Sequence, residues 1–214
     1  MIKAILFDMD GVLIEAKDWH YDALNDVLGI FGMAIDYDAH LATFDGLPTR
    51  RKLEILSKSR GFPHGLHDFV NRLKQGRTVE ITTAKCRPLF QHRFALSRLK
   101  RDNLKLAVCS NSVRQTVELM MRLSNLDPFL DLMVSNEDVK KAKPDPEMYR
   151  YAIGRFGLQP HEVLILEDND HGIAAARASG AHLMVIGTVE DVRYDKIREA
   201  IEMAERLPIQ AHSA

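Results

Sequence analysis

The chain has 214 residues, 46% of them hydrophobic and 28% charged, with 29 Lys and Arg against 30 Asp and Glu for a formal net charge of -1. That make-up belongs to a globular protein with room for one ordinary domain, a modest insertion and a sizeable core. No basic stripe stands out, so nothing points to a nucleic-acid binder held by backbone phosphates and none is expected.

The first short apolar run, Ala4 to Phe7, has the length and composition of a buried strand. The N-terminal stretch MIKAILFDMDGVLIEAKD is interrupted by Asp8 and Asp10, so it reads as neither signal peptide nor membrane span. From Glu15 to Ile81 strand signals vanish. Ala23, Leu24, Val27, Leu28 and Phe31 predict an amphipathic helix ending near Gly32. Leu53 and Leu56 mark a second helix before Gly61, and Leu66, Phe69, Val70 and Leu73 a third. An insertion of this length is too long for a loop and is expected to be a small cap domain over residues 16–80.

Four further apolar runs follow: Leu104 to Cys109, Leu130 to Val134, Val163 to Leu166 and Leu183 to Ile186. Runs this continuous fit strands covered on both faces, as in a parallel sheet. Helical patterns lie between them. Val113, Val117, Met120 and Met121 form one stripe, and Met148, Ala152, Ile153 and Phe156 another, with Pro146 placed as a first-turn residue. Ile173 to Ala178 is Ala-rich and stops at Gly180, a suitable C-terminal cap. The expected fold is therefore α/β, a doubly wound parallel sheet in residues 1–15 and 81–214, with the helical cap inserted after the first strand. There are no internal repeats, and the tail after Leu207 is expected to fray.

Cys86 and Cys109 cannot make a disulfide framework, and that usage fits a reducing compartment, so the expected location is cytoplasmic. The nine His are scattered, and His64 with His67, or His161 with His171, lack a metal-site spacing. The chemistry sits elsewhere. In open α/β sheets ligands bind outside the carboxyl ends of the strands. There the first strand ends in Asp8-Met9-Asp10-Gly11, the second in Ser110-Asn111 and the fourth in Glu167-Asp168-Asn169-Asp170, while Lys141-Ala142-Lys143-Pro144 follows the third. Side chains two residues apart on extended chain point the same way, so Asp8 and Asp10 can share a site. Crowded carboxylates with no Cys or His nearby favour a hard cation such as Mg²⁺. A cation and a lysine together offset a phosphate dianion, which lets an anionic carboxylate approach phosphorus.

DMDGVL, CSNS, AKPDP and LEDNDHG, in that order, resemble the four motifs of the haloacid dehalogenase superfamily of phosphatases. The insertion is similar to that superfamily's first cap type, and the nearest likeness is to the β-phosphoglucomutase-like group. The resemblance implies Asp8 as nucleophile and metal ligand, and Asp10 as general acid/base that binds the metal through its backbone carbonyl. It further implies Ser110 as the phosphate-binding hydroxyl, Lys143 as the lysine that holds nucleophile and phosphate, Asp168 as a metal ligand, and Glu167 as its outer or water-mediated neighbour. Asn111, His20 where cap meets core, Gly46 and Arg50 in the cap loop, and Lys74 on the last cap helix are the implied substrate-side residues. The implied cofactor is Mg²⁺, the partner a small phosphorylated metabolite, and the assembly a monomer or weak homo-oligomer.

Asp10 also separates chemistries within the superfamily, because a halide leaving group needs no proton and an alkoxide does. A phosphatase acting on a sugar or polyol phosphate is expected first and a sugar phosphomutase second. The mutases carry a hydroxyl residue six positions after the acid/base Asp and an arginine in the cap, and here Ala16 and Thr49 stand there. A non-catalytic phosphometabolite-binding protein is the third reading, and the intact motif residues argue against it.

Overall fold

In the computed structural model, which describes residues 1–206, the apolar runs form five strands. They are β1 (Ala4–Phe7), β2 (Lys105–Cys109), β3 (Leu132–Val134), β4 (Val163–Glu167) and β5 (His182–Val185). All pair in parallel in the order β3-β2-β1-β4-β5. The central strand β1 sets Phe7 beside Val108 on one side and Leu166 on the other, so the carboxyl ends of β1, β2 and β4 are level.

Burial on both faces explains the unbroken hydrophobicity. Ile5, Phe7, Leu106, Val108, Leu164 and Leu166 point to one face, under α5 (Phe90–Arg101), α6 (Arg114–Leu123) and α9 (Tyr194–Arg206). Ala4, Leu6, Ala107, Cys109, Val163 and Ile165 point to the other, under α7 (Glu147–Phe156) and α8 (Asp170–Ser179). This is the period-two alternation of a strand between two helical layers.

A third apolar cluster belongs to the helices that follow β1. α1 (Lys17–Gly29), α2 (Tyr37–Thr43), α3 (Thr49–Arg60) and α4 (His67–Lys85) enclose Leu24, Val27, Leu28, Phe44, Leu53, Leu56 and Val70. This is the cap. Its last helix runs through residue 81 to Lys85 and leads directly into the core segment.

Several boundaries move from the expected ones. β3 starts two residues late, because a 3-10 turn at Asp127–Phe129 precedes it and the Asp131 carboxylate accepts from the Leu106 amide at 2.8 Å. β5 begins one residue early, at His182. α1 stops at Gly29 rather than near Gly32, and Pro146 caps α7 instead of lying in its first turn. α2, α5 and α9 have no counterpart in the expected pattern. α2 is only seven residues long, nucleated by the Asp36 side chain accepting from the Ala39 amide at 2.9 Å. Gly61 and Gly180 do end their helices with left-handed φ of 70° and 86°. Among the described residues, no helix is long and apolar enough to cross a membrane. The tail after Leu207 lies outside the described residues.

Candidate active site

Parallel pairing carries Asp8, Ser110, Glu167 and Asp168 to one rim of the sheet, and the loop after β3 brings Lys143 over it. The Lys143 Nζ donates to Asp8 Oδ1 at 2.6 Å, to Glu167 Oε1 at 2.6 Å and to the Cys109 carbonyl at 2.8 Å. All three charged side chains are buried. Tyr149, on the buried face of α7, donates its hydroxyl to the same Glu167 Oε1, and its ring lies 4.8 Å from the Lys143 ammonium. Gly172, in the first turn of α8, leaves the space that the Glu167 carboxylate fills, since a Cβ there would stand 1.9 Å from Oε1.

The electrostatics follow from that crowding. Burial, then the neighbouring Glu167 carboxylate, raises the Asp8 pKa well above its ordinary value, with Lys143 opposing. Burial alone would weaken the Lys143 ammonium, but Asp8 and Glu167 outweigh it and hold the lysine protonated above its ordinary value. One lysine does not balance the carboxylates around it.

Asp10 lies in the same cavity but faces the cap. Its Oδ1 is 3.1 Å from His20 Nε2, and its Oδ2 accepts from the Ser112 hydroxyl at 3.3 Å. Lys74 Nζ reaches His20 Nδ1 at 3.2 Å. With Lys74 donating to Nδ1, the imidazole carries its proton on Nε2 and donates to Asp10, so a Lys74–His20–Asp10 chain spans cap and core. Burial pushes His20 below its ordinary value, which suits a neutral ring. Burial raises the Asp10 pKa, but the His20 pairing outweighs it and the net direction is down.

The acidic cluster suits a hard cation. One oxygen from each of Asp8, Glu167 and Asp168 falls within 4.8 Å of the others. Asp168 Oδ2 is buried and accepts no hydrogen bond; the Lys17 ammonium touches it at 2.7 Å, outside hydrogen-bond geometry. Burial raises the Asp168 pKa even with Lys17 beside it. Gly11, at φ 90°, makes room here, because a Cβ would meet Asp168 Oδ2 at 2.1 Å. Three carboxylates converging as all-oxygen donors, with a single lysine against Asp168, are the chemistry of a Mg²⁺ or Ca²⁺ site. Glu167 differs from its two neighbours. Its Oε1 is taken by Lys143 and Tyr149 and its Oε2 lies 3.2 Å from the Asp168 amide, so it orients the lysine.

The cavity holds about 480 Å³ and is lined by Asp8, Asp10, Ser110 and Lys143 from the core and by Lys52 and Lys74 from the cap. That volume suits a small molecule. The remaining candidates divide. Ser110 is buried, and its Oγ accepts from the Ser112 amide at 3.0 Å. Asn111 donates to the Gly46 carbonyl at 2.9 Å and the Lys143 carbonyl at 3.2 Å, and accepts from the Lys143 amide at 3.1 Å, which ties the cap loop to the core. Gly46, at φ 70°, passes so close to Asn169 that a Cβ would stand 2.9 Å from its side-chain oxygen. Arg50 lies at the cavity mouth with its side chain 80% exposed, 3.9 Å from the Asp68 carboxylate.

Lys17, Lys52, Tyr149 and Gly172 carry no role assigned from the sequence, although Gly172 ends the LEDNDHG motif and Lys52 lies in the cap loop. A signal exists for two of them. Lys52 stands one helical turn before Leu56, and Tyr149 adjoins Met148 and precedes Ile153 by one turn, so both fall on buried faces.

The family model described as haloacid dehalogenase-like hydrolase matches residues 5–186. A phosphorylated carbohydrates phosphatase of Thermotoga maritima is 31% identical over 180 residues, covering 84% of this chain and 82% of that protein. Pyrophosphatase PpaX of Bacillus velezensis is 31% identical over 193 residues, covering 84% and 80%. The crystal structure of a β-phosphoglucomutase from Clostridium difficile superposes with a TM-score of 0.82 at 19% identity, over 95% of this chain and 98% of that one, and it shares the fold. With its four motifs gathered on one rim of a capped parallel sheet, the chain belongs to the haloacid dehalogenase-like hydrolase family.

Proposed function

We propose that the protein is a Mg²⁺-dependent phosphatase that hydrolyses a small phosphomonoester, of the sugar or polyol phosphate class, with Asp8 as covalent nucleophile. The observation that carries this reading is the buried Lys143 ammonium bridging Asp8 and Glu167, with the Asp10 carboxylate in the same cavity. The names of the two curated relatives, both enzymes of phosphorylated small molecules, support it.

Asp8, Asp168 and the backbone carbonyl of Asp10 would hold the cation, with Glu167 outside it. When bound, Mg²⁺ supplies positive charge that keeps Asp8 ionised and offsets the phosphoryl oxygens. Lys143 contributes the second positive charge at fixed position, and Ser110 with the backbone after it binds a phosphoryl oxygen. Asp8 Oδ attacks phosphorus, the ester P–O bond breaks, and Asp10 delivers a proton to the leaving alkoxide. The resting protein holds Asp10 as a carboxylate, and an entering phosphate dianion raises its proton affinity, so the acid forms as the substrate binds. Asp10 then takes the proton of the water that hydrolyses the aspartyl-phosphate. The His20–Lys74 pair fixes its orientation for both steps. Residues 16–80 cover the site and exclude large phosphoproteins.

An aryl phosphate assay tests this. Turnover with Mg²⁺ should stop reversibly with EDTA and vanish in Asp8→Asn. Substantial activity surviving both would overturn the mechanism. Ala16 and Thr49, where the mutases carry a hydroxyl and an arginine, keep the phosphomutase reading second.

A further inference from the structure

Lys17 stands where local preference does not explain it. It is the first residue of α1, and Ala16 before it supplies no side-chain cap. A helix N-terminus carries partial positive charge, so an ammonium there works against the dipole. Conflicts of this kind between local rule and fold gather where a residue serves the site. Lys17 does not swing out to water. Its side chain is 32% exposed, it lines the cavity, and its Nζ lies 2.7 Å from Asp168 Oδ2, in a carboxylate only 2% exposed. The seat is shaped for it. A Cβ on Gly11 would meet Asp168 Oδ2 at 2.1 Å and Lys17 Cε at 2.7 Å, so carboxylate and lysine stem share the space that this glycine leaves.

The pair also joins α1 to the rim of the sheet. His20, three residues further along the same face of α1, reaches Asp10 at 3.1 Å. One helix is therefore pinned through two core carboxylates, Asp10 and Asp168. Asp168 has a second claim on it, because one of its oxygens falls within 4.8 Å of oxygens from Asp8 and Glu167. A cation held by Oδ2 would sit about 2.1 Å from it, which puts two positive charges within roughly 5 Å of each other. Whether the ammonium stays and repels that cation or leaves and forfeits its pair, cation binding is weaker than it would be without Lys17.

We propose that Lys17 is a positioning residue for the cation site: its ammonium and the divalent cation compete for the Asp168 carboxylate, so Lys17 sets how much Mg²⁺ the protein requires. The same competition makes a bound cation loosen one of the two ties between α1 and the core, since coupling of two binding events is reciprocal. This rests on the Mg²⁺-dependent phosphatase reading and deepens it, by naming the residue that tunes the cation.

Calorimetric titration with Mg²⁺ reads the competition without turnover. Lys17→Met keeps the aliphatic stem over Gly11 and removes the charge, and its Kd should be lower than the wild type's by about tenfold or more, with allowance for screening of a part-exposed ammonium. Lys17→Arg keeps the charge and should stay within about threefold of the wild type. Lys3→Met is the control for net charge, since it removes an ammonium paired with Glu162 at the amino ends of β1 and β4, and it should leave the Kd unchanged. Thermal unfolding gives a second readout. In EDTA Lys17→Met should melt below the wild type, because Asp168 has lost its counter-ion, and Mg²⁺ should raise its melting temperature by more than it raises the wild type's. Equal Mg²⁺ affinity in Lys17→Met and wild type would reduce Lys17 to a structural pair and overturn the proposal, with the Mg²⁺ reading intact. Weaker binding in Lys17→Met would also overturn it, by making Lys17 a support for the cation rather than its rival. Failure of both proteins to bind Mg²⁺ would remove the proposal and the Mg²⁺ reading together. Tighter binding by Lys17→Met, in a protein that hydrolyses no phosphomonoester, would sink the phosphatase reading and leave the role of Lys17 standing.

Discussion

Gly172 gives the sharpest handle on the catalytic lysine. A Cβ added there would lie 1.9 Å from Glu167 Oε1, 2.0 Å from its carboxyl carbon and 2.1 Å from Oε2, where ordinary contacts do not fall below 3.0 Å. Gly172→Ala therefore drives the carboxylate back by about 1 Å, and a displacement of that size at a reacting centre costs on the order of 10²-fold. The carboxylate has no free direction, because Lys143 and Tyr149 pin Oε1 and the buried wall of β4 lies behind it. Overpacking of this kind costs about 1–3 kcal/mol, partly offset by roughly 0.5–1 kcal/mol gained from replacing a helical glycine. For a chain of this length the melting temperature should fall by on the order of 5 °C. Gly154→Ala in α7 is the control, since a Cβ there meets no heavy atom within 4 Å. It should stabilise the fold slightly and leave aryl phosphate turnover unchanged. The assay is kcat/KM with an aryl phosphate beside thermal unfolding of both variants. Gly172→Ala with wild-type kcat/KM would refute the claim that Glu167 positions Lys143.

Tyr149→Phe removes one donor from Glu167 and leaves Lys143 as the remaining side-chain partner of Oε1. Stability should drop by about 1.5–3 kcal/mol in urea unfolding, as for a buried hydrogen bond to a charged group, and kcat should fall about tenfold; an unchanged kcat would confine Tyr149 to packing. His40 lies against Tyr21 at 5.1 Å and Phe44 at 6.4 Å, with neither ring nitrogen hydrogen-bonded. Burial pushes it from 6.5 down to about 4. The unfolded chain takes up that proton near 6.5 and the folded one only near 4, so stability present above pH 6.5 is lost as pH falls toward 4. His40→Phe should make unfolding free energy less steep in that window by up to about 1.4 kcal/mol per pH unit, and parallel curves for the two proteins would contradict it. Gly11→Ala should weaken Mg²⁺ binding in a calorimetric titration, because its Cβ would displace Asp168; wild-type affinity would show that Asp168 is no ligand.

The parts of the fold visible in the sequence are those with strong local patterns. β1 and β4 are unbroken buried runs whose starts match their apolar residues, and the polar residues following β1, β2 and β4 converge because parallel strands end level. α2 leaves no pattern in the sequence because seven residues hold too few apolar positions to show a period, with only His40 buried. In the cap loop Arg50 is the expected contact, but with α3 starting at Thr49 it is Lys52 that shares the buried face with Leu53 and Leu56. Lys17 is half-buried against Asp168, a contact across 151 positions that no local pattern encodes. Tyr149 reads as one more core aromatic until Glu167 is seen at its hydroxyl, and Gly172, although it ends the LEDNDHG motif, shows its close approach to Glu167 only in three dimensions.

Turnover through a phosphorylated Asp8 is the claim on which the rest depends. Quenching the wild-type protein during steady-state hydrolysis with borohydride, which reduces an aspartyl-phosphate to homoserine, and mapping the peptides by mass spectrometry tests it directly. Homoserine is expected at position 8, dependent on substrate and Mg²⁺ and absent from Asp8→Asn. Continued turnover with an unmodified Asp8, or modification at another carboxylate, would contradict it.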